Sequence, residues 1–115
     1  MKKNGTRIIG WIIAIALAAM FVKVGIDKVT GVPEMTNNFE KWGYGERFMM
    51  LIGVLEILGA IGLLIPRIWY LASAGLIGLM LGATYTHINA GEPFFPPLTM
   101  VVGLVVYMFV RKNAQ

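Results

Sequence analysis

The sequence predicts an all-α integral membrane protein, an antiparallel four-helix bundle with a short interfacial helix in its first loop. Three observations predict this fold. Of the 115 residues, 57% are hydrophobic and 14% are charged; the mean hydropathy is +0.72; and four long apolar runs alternate with short segments rich in glycine, proline or charge. A soluble domain of this size buries too small a share of its surface to hide so much apolar side chain. We therefore expect lipid to surround the helices.

Composition also limits the chemistry. The chain contains no cysteine, which excludes disulfides, thiol catalysis and cysteine-ligated iron–sulfur clusters. Its single histidine, His87, offers too few ligands for a zinc site of its own, so we predict no bound metal. The basic residues are scattered near the ends of the apolar runs rather than gathered among aromatic residues, so we predict no nucleic-acid partner.

The first helix is predicted over 8–28. Gly10, Ala14 and Ala18 recur at helical spacing, and in lipid such small residues mark a face where helix backbones approach closely. The alternative is a cleaved secretory signal, because two lysines precede the apolar run. The run is longer than the apolar region of a typical signal, so we predict a retained helix.

The first loop contains a segment, 33–43, that we predict to be a short amphipathic helix on the membrane surface. Its proline suits the first position of a helix. Met35, Phe39 and Trp42 then recur on one side, and tryptophan is typical of the membrane interface. An ordered loop with aromatic anchors is the alternative.

Three further helices are predicted over 46–65, 68–87 and 96–111, all within one domain of residues 1–115. Pro66 ends the second apolar run and sets up a tight turn into the third. The last run is the shortest, and two phenylalanines before it are expected to anchor its start at the membrane surface.

Lysine and arginine predict the orientation. If all four long helices cross the membrane, one side holds Lys2, Lys3, Arg7, Arg67, Arg111 and Lys112. On the other side, basic residues are accompanied by acidic ones. The positive-inside rule then predicts that both termini lie in the cytoplasm, with the lipid bilayer as the main partner.

Glu56 is the main functional candidate, because a carboxylate inside an apolar run is costly in lipid. It shares a helix face with Gly53 and Ala60, so it should point at neighbouring helices, roughly 13 Å below the outer end of its helix. Lys28 and His87 end their helices on that same side. We expect the three ionisable side chains to converge, either as a functional group or as a structural contact that joins helices.

Four further polar side chains are secondary candidates. Lys23 is expected to turn outward and pair with Asp27, one helical turn further on. Thr99 and Tyr107 lie on the polar side of the last predicted helix.

Several motifs are distinctive in combination: Gly25-Ile-Asp-Lys28, Trp42-Gly43-Tyr44, Gly53-Val-Leu-Glu56 followed by Gly59-Ala60, and Ala83 followed by His87. Together they resemble the DoxX family of small bacterial membrane proteins. The resemblance implies four helices in the bacterial inner membrane and an association with quinone-linked oxidation. It also implies Lys28, Trp42, Glu56 and His87 as the family's polar residues. Gly45 departs from the pattern, since proline is common at that position.

Three functions fit this picture. The first is a non-catalytic accessory or scaffold subunit of a membrane redox or stress-response system. The second is a quinone-interacting subunit, with histidine and lysine as donors, glutamate as proton relay and aromatic side chains as walls. The residues of that polar pocket would be Lys28, Trp42, Tyr44, Glu56, Tyr85 and His87. The third is a small proton-coupled carrier, which would need a homo-oligomer.

The sequence carries no flavin or nicotinamide fingerprint. We therefore expect no intrinsic cofactor, with quinone as the one candidate ligand, and no enzyme activity of the chain alone. Electrons would have to come from a redox partner subunit.

Overall fold

A computed structural model describes residues 2–114, and over that range the chain is helical with no strand. Its helices are α1 (Lys2–Thr30), α2 (Pro33–Lys41), α3 (Glu46–Leu63), α4 (Trp69–Asn89) and α5 (Phe95–Asn113). The all-α prediction is confirmed. The segment expected to be either a short helix or an ordered loop is a helix, with proline in its first turn.

The helices do not stop where the apolar runs stop. α1 begins at Lys2 rather than residue 8, because the polar residues before the run include no proline and can stay helical where water hydrates them. α3 ends at Leu63, two residues before the predicted bound. There the N–H groups of Leu64 and Ile65 bond to carbonyls three residues back, which tightens the chain ahead of Pro66.

Each long helix contacts two others. α1 packs against α3 and α5, α4 packs against the same two helices, and α2 packs against α3 and α1. The buried core is formed by Ala14, Leu17, Ala18, Phe21, Ala60, Leu63, Trp69, Leu76, Met80, Leu104 and Tyr107. All four long helices therefore share one apolar core.

α1 and α3 approach each other closely at two glycines, Gly25 and Gly53. A Cβ atom added to Gly53 would lie 2.7 Å from the carbonyl oxygen of Gly25 and 2.8 Å from Cβ of Lys28. Only glycine allows two helix backbones to come so near. This contact sets the position of the polar side chains next to it.

Some small residues of α4 lie in a tight contact with α3, whereas others are exposed. A Cβ on Gly62 would lie 2.7 Å from Cβ of Ala72, so these two residues form a tight α3–α4 contact. Gly75, Gly78 and Gly82 are exposed and have no atom within 4 Å of the Cβ position. These three glycines of α4 thus face away from the core.

Glycine at the end of a helix places two polar residues, Glu92 and Tyr44. Gly91 follows α4 with φ of 71°, and Gly43 follows α2 with φ of 87°, a backbone region that other residues avoid. After Gly91, the N–H of Glu92 bonds to the carbonyl of His87 at 2.9 Å. The chain turns back over the end of each helix. Glu92 therefore lies close to the last turn of α4, and Tyr44 lies close to the last turn of α2.

Within residues 2–114, three helices are long and apolar enough to cross a membrane: Asn4–Thr30, Trp69–Asn89 and Phe95–Asn113. α3 spans 18 residues but includes Glu46, Arg47 and Glu56. Large apolar side chains cover the outside of the long helices; Phe109, for example, is 70% exposed. Such a surface is suited to lipid rather than to water.

Candidate functional site

Lys28 and Glu56 form a buried ion pair between α1 and α3. The ammonium nitrogen of Lys28 lies 2.7 Å from Oε1 of Glu56, and the two side chains are 10% and 1% exposed. The pair follows directly from the glycine contact, because Lys28 is three residues after Gly25 and Glu56 is three residues after Gly53. Nearly one helical turn separates each glycine from its charged residue, so both charges emerge on the packed side.

The surroundings of Glu56 do not satisfy it fully. Within residues 4–114, neither carboxylate oxygen has a hydrogen-bond donor in ideal alignment, and the Lys28 ammonium at 2.7 Å is the one cation that pairs with it. Buried polar atoms are almost always hydrogen-bonded. Removing one partner of a buried pair typically costs about 3–5 kcal/mol. Glu56 therefore depends on one cation, Lys28.

A second polar group, here called the cap cluster, consists of Lys41, Trp42, Tyr44, Thr86, His87 and Glu92. Glu92 is its centre. Nε1 of Trp42 donates a hydrogen bond to Oε1 of Glu92 at 3.0 Å, and the ammonium of Lys41 forms an ion pair with Oε2. One carboxylate between α4 and α5 thus binds two consecutive residues at the end of α2.

His87 is held in the cap cluster by three neighbours. Its Nδ1 lies 3.0 Å from the carbonyl oxygen of Pro93 and 3.6 Å from Oε1 of Glu92. Its ring centre is 5.2 Å from that of Trp42. Since a carbonyl oxygen only accepts, Nδ1 carries the hydrogen in this bond.

Hydroxyl groups form the other half of the cap cluster. The Thr86 hydroxyl donates to the carbonyl of Gly82 at 3.0 Å, so the Tyr44 hydroxyl, 2.9 Å from Thr86 Oγ1, donates to it. Buried Phe39 packs its ring 5.2 Å from Trp42 and 6.0 Å from Tyr44. α2 is therefore attached to the end of α4 by aromatic packing and by hydrogen bonds.

The charge of Glu92 is stabilised by its neighbours. The hydrogen bond from Lys41 is the main reason that the pKa of the Glu92 carboxyl lies below its ordinary value. The bond from Trp42 and the positive charges of Lys41 and His87 act in the same direction, and partial desolvation opposes them. The cap cluster is thus most stable with Glu92 ionised.

The two groups remain separate. Over residues 4–114, no hydrogen bond or ion pair joins His87 to Lys28 or Glu56. Of the other predicted pocket residues, Trp42 and Tyr44 belong to the cap cluster, whereas Tyr85 is 66% exposed on the outside of α4.

The secondary candidates lie elsewhere. Lys23 forms a surface ion pair with Asp27 at 2.7 Å. The Thr99 hydroxyl donates to the carbonyl of Phe95 in its own helix. Tyr107 is fully buried and donates to the carbonyl of Leu63. That bond is near the start of α1 and the end of α5, far from the cap cluster.

A cavity of about 250 Å³ lies between α2 and the start of α3. Phe39, Tyr44 and Met49 form part of its wall, together with the acidic residues Glu40 and Glu46. Tyr44 is the one predicted pocket residue in this lining. In the part of the chain described, no three histidine, cysteine or acidic side chains are grouped closely enough to hold a metal ion.

Sequence reasoning did not select Lys41, Thr86 or Glu92. The overlooked signal for Glu92 was the glycine after α4. Gly91 in the left-handed region places the next residue over the last turn of the helix, beside His87. An acidic residue after such a glycine, one turn beyond a histidine, is a readable pattern. Its contact with Lys41, 51 positions earlier in the chain, has no local signal.

The chain belongs to the DoxX-like family, whose family model matches residues 12–110. The match includes α2, α3 and α4 in full, and with them both polar groups. Comparisons with curated proteins and with solved structures found no match.

Proposed function

We propose that this member of the DoxX-like family crosses the inner membrane of a bacterium as an antiparallel four-helix bundle, with the start of α1 and the end of α5 in the cytoplasm. Three helices satisfy the length and apolarity of a membrane span. α3 is the exception, and its charges have an explanation: Glu46 and Arg47 open the helix, where headgroups can solvate them, and Glu56 is matched by Lys28. α2 then lies on the outer surface of the inner membrane.

We propose further that the protein is a non-catalytic accessory or scaffold subunit of a membrane redox or stress-response system. The observation that carries this proposal is the buried pair of Lys28 and Glu56. It sits beside the close glycine contact of α1 and α3, where it joins the two helices. His87 is likewise engaged with Pro93, Trp42 and Glu92. The ionisable side chains that could take part in chemistry therefore hold helices together.

A paired substitution tests this role. Lys28→Met combined with Glu56→Met removes both charges and keeps apolar volume, a replacement that is often neutral or stabilising for a buried pair. We expect the double variant to fold, whereas Lys28→Met alone loses about 3–5 kcal/mol, since a bare carboxylate stays buried. Lys23→Met on the same helix is the matched control. Its exposed pair with Asp27 should be worth at most about 1 kcal/mol.

Thermal unfolding followed by circular dichroism measures stability, and native mass spectrometry in lipid nanodiscs measures what remains bound. We expect wild type and double variant to retain the same polypeptide partner, purified from the native membrane at fixed stoichiometry. A double variant that folds but loses this partner contradicts the scaffold role.

A quinone-interacting subunit is the second candidate, favoured by the oxygens of Glu56 that lack an aligned donor. Such oxygens can accept a hydrogen bond from a hydroxyl group of a ligand. The same mass spectra decide the matter. A retained quinone that disappears in Glu56→Gln and in His87→Ala, while both variants stay folded, favours this candidate and sinks the scaffold proposal.

A further inference from the structure

The end of the molecule opposite to the cap cluster contains a cavity of about 200 Å³. It is lined by Arg7, Gly10, Trp11, Pro66, Arg111 and Ala114. These residues come from the start of α1, the turn between α3 and α4, and the end of α5. Two of them are arginines, and the other four carry no charge.

The guanidinium of Arg111 is already positioned. Its central carbon lies 5.0 Å from the ring centre of Trp11 and 5.4 Å from that of Trp69, a cation–π arrangement on both rings. Its Nη1 donates to the Tyr107 hydroxyl at 3.0 Å, which donates to the carbonyl of Leu63 at 3.1 Å. Within residues 4–114, the bond to Tyr107 is the one hydrogen bond that the guanidinium donates, so its other N–H groups can bind a ligand.

Within residues 4–114, no acidic side chain forms an ion pair with the arginines of this cavity. The acidic residues of the chain are Asp27, Glu34, Glu40, Glu46, Glu56 and Glu92. One lies in the last turn of α1, two on α2, two in the first eleven residues of α3 and one after α4. Within residues 4–114, neither Arg7 nor Arg111 forms an ion pair. Arg67 and Lys112 add further positive charge at this end.

We infer that this cavity binds the phosphate group of an anionic phospholipid. Planar guanidinium groups match the geometry of phosphate oxygens and keep their charge at any physiological pH. Glycine, proline, alanine and the tryptophan ring provide an apolar border of the kind that glycerol and the first acyl carbons contact. Basic pockets between membrane helices bind lipid headgroups by this combination. The inference stands apart from the proposed function.

The test compares two lipids and one free anion. The protein is placed in nanodiscs of phosphatidylcholine with a minor fraction of phosphatidylglycerol, and the lipid retained after detergent release is measured by native mass spectrometry. We expect phosphatidylglycerol to be retained in preference to phosphatidylcholine. Arg7→Gln should weaken this retention by about fivefold. Inorganic phosphate in large excess should not displace the lipid.

Lys112→Gln is the matched control, since it removes one positive charge at the same end without lining the cavity. We expect its effect to stay within about twofold, because diffuse attraction is screened by salt. Arg111→Lys keeps the charge but loses the planar fork, and thermal unfolding verifies its folding. Equal losses in Arg7→Gln and Lys112→Gln, equal retention of the two lipids, or displacement by inorganic phosphate would each overturn the assignment.

Discussion

Glu92 is the residue at the centre of the cap cluster, although it was not among the candidates selected from the sequence. It accepts a hydrogen bond from Trp42, pairs with Lys41 and lies 3.6 Å from Nδ1 of His87. One side chain therefore connects the end of α2 to the end of α4. Because its carboxylate form makes these contacts, its protonation should weaken them all at once.

We predict that α2 detaches in acid. The pKa of Glu92 is lower in the folded protein than its ordinary value of 4.5, so its stabilising contribution is complete above that value. The contribution is lost as the pH falls through the lower, folded value. Hydrogen exchange of α2 amides, compared at neutral pH and at about pH 3, should show faster exchange in acid, after correction for the intrinsic rate.

Glu92→Gln should make exchange in α2 fast at both pH values, and so remove the pH dependence. Glu34→Gln on the exposed side of α2 is the control and should leave it unchanged. Protection of α2 that is the same in wild type and Glu92→Gln at neutral pH would contradict the central role of Glu92.

Among the helices, α1 and α3 form a tight contact. Gly25 and Gly53 bring the backbones together, and the charged residues three positions later complete the contact. Since hydrophobicity gives no net drive between helices already in lipid, close packing and polar contacts have to provide it. This pair of helices therefore relies on glycine as much as on charge.

We predict that Gly53→Ala destabilises the protein by about 1–3 kcal/mol, because the new methyl group would lie 2.7 Å from the carbonyl oxygen of Gly25 and force the helices apart. Gly82→Ala on α4 is the matched control: it meets no atom within 4 Å, and alanine favours a helix over glycine by up to about 1 kcal/mol. Thermal unfolding in detergent measures both. Equal loss of stability in the two variants would show that the contact is not tight.

Charge is divided along the whole molecule. Arg7, Arg67, Arg111 and Lys112 lie at one end, and the acidic residues lie toward the other. This division supports the proposed orientation through the positive-inside rule. The polar side chains at one end form the cap cluster around Glu92, whereas those at the other end are mainly basic.

We predict that α2 faces the outside of the cell membrane. The chain lacks cysteine, so single substitutions give labelling without background. Asn37→Cys on exposed α2 should react with an impermeant maleimide in intact spheroplasts, whereas Asn113→Cys near the end of α5 should react only after lysis. The reverse pattern would contradict the orientation, and labelling of both sites before lysis would contradict an even number of spans.

Much of the fold could be predicted from local signals. Apolar runs broken by proline and glycine indicate where the long helices lie, and Pro33 with the spacing of Met35 and Phe39 indicates α2. Hydropathy reports the length in contact with lipid, so it does not reveal that α1 continues back to Lys2.

The site could be predicted only in part. The convergence of Lys28 with Glu56 is readable because each follows a packed glycine by three residues. The cap cluster is not readable, since the contacts of Glu92 with Lys41 and Trp42 join segments about 50 residues apart and depend on how α2 lies over the bundle. His87 therefore has partners other than those its position suggested.

The separation of the two polar groups has a consequence for biogenesis. Lys28 and Glu56 both belong to the first half of the chain, so they can meet as soon as the ribosome has delivered α3 to the bilayer. Glu92 is synthesised later, and until then the end of α2 lacks this carboxylate partner. During synthesis, α1 and α3 should therefore form a hairpin that the Lys28–Glu56 pair already joins. The cap cluster should form only afterwards.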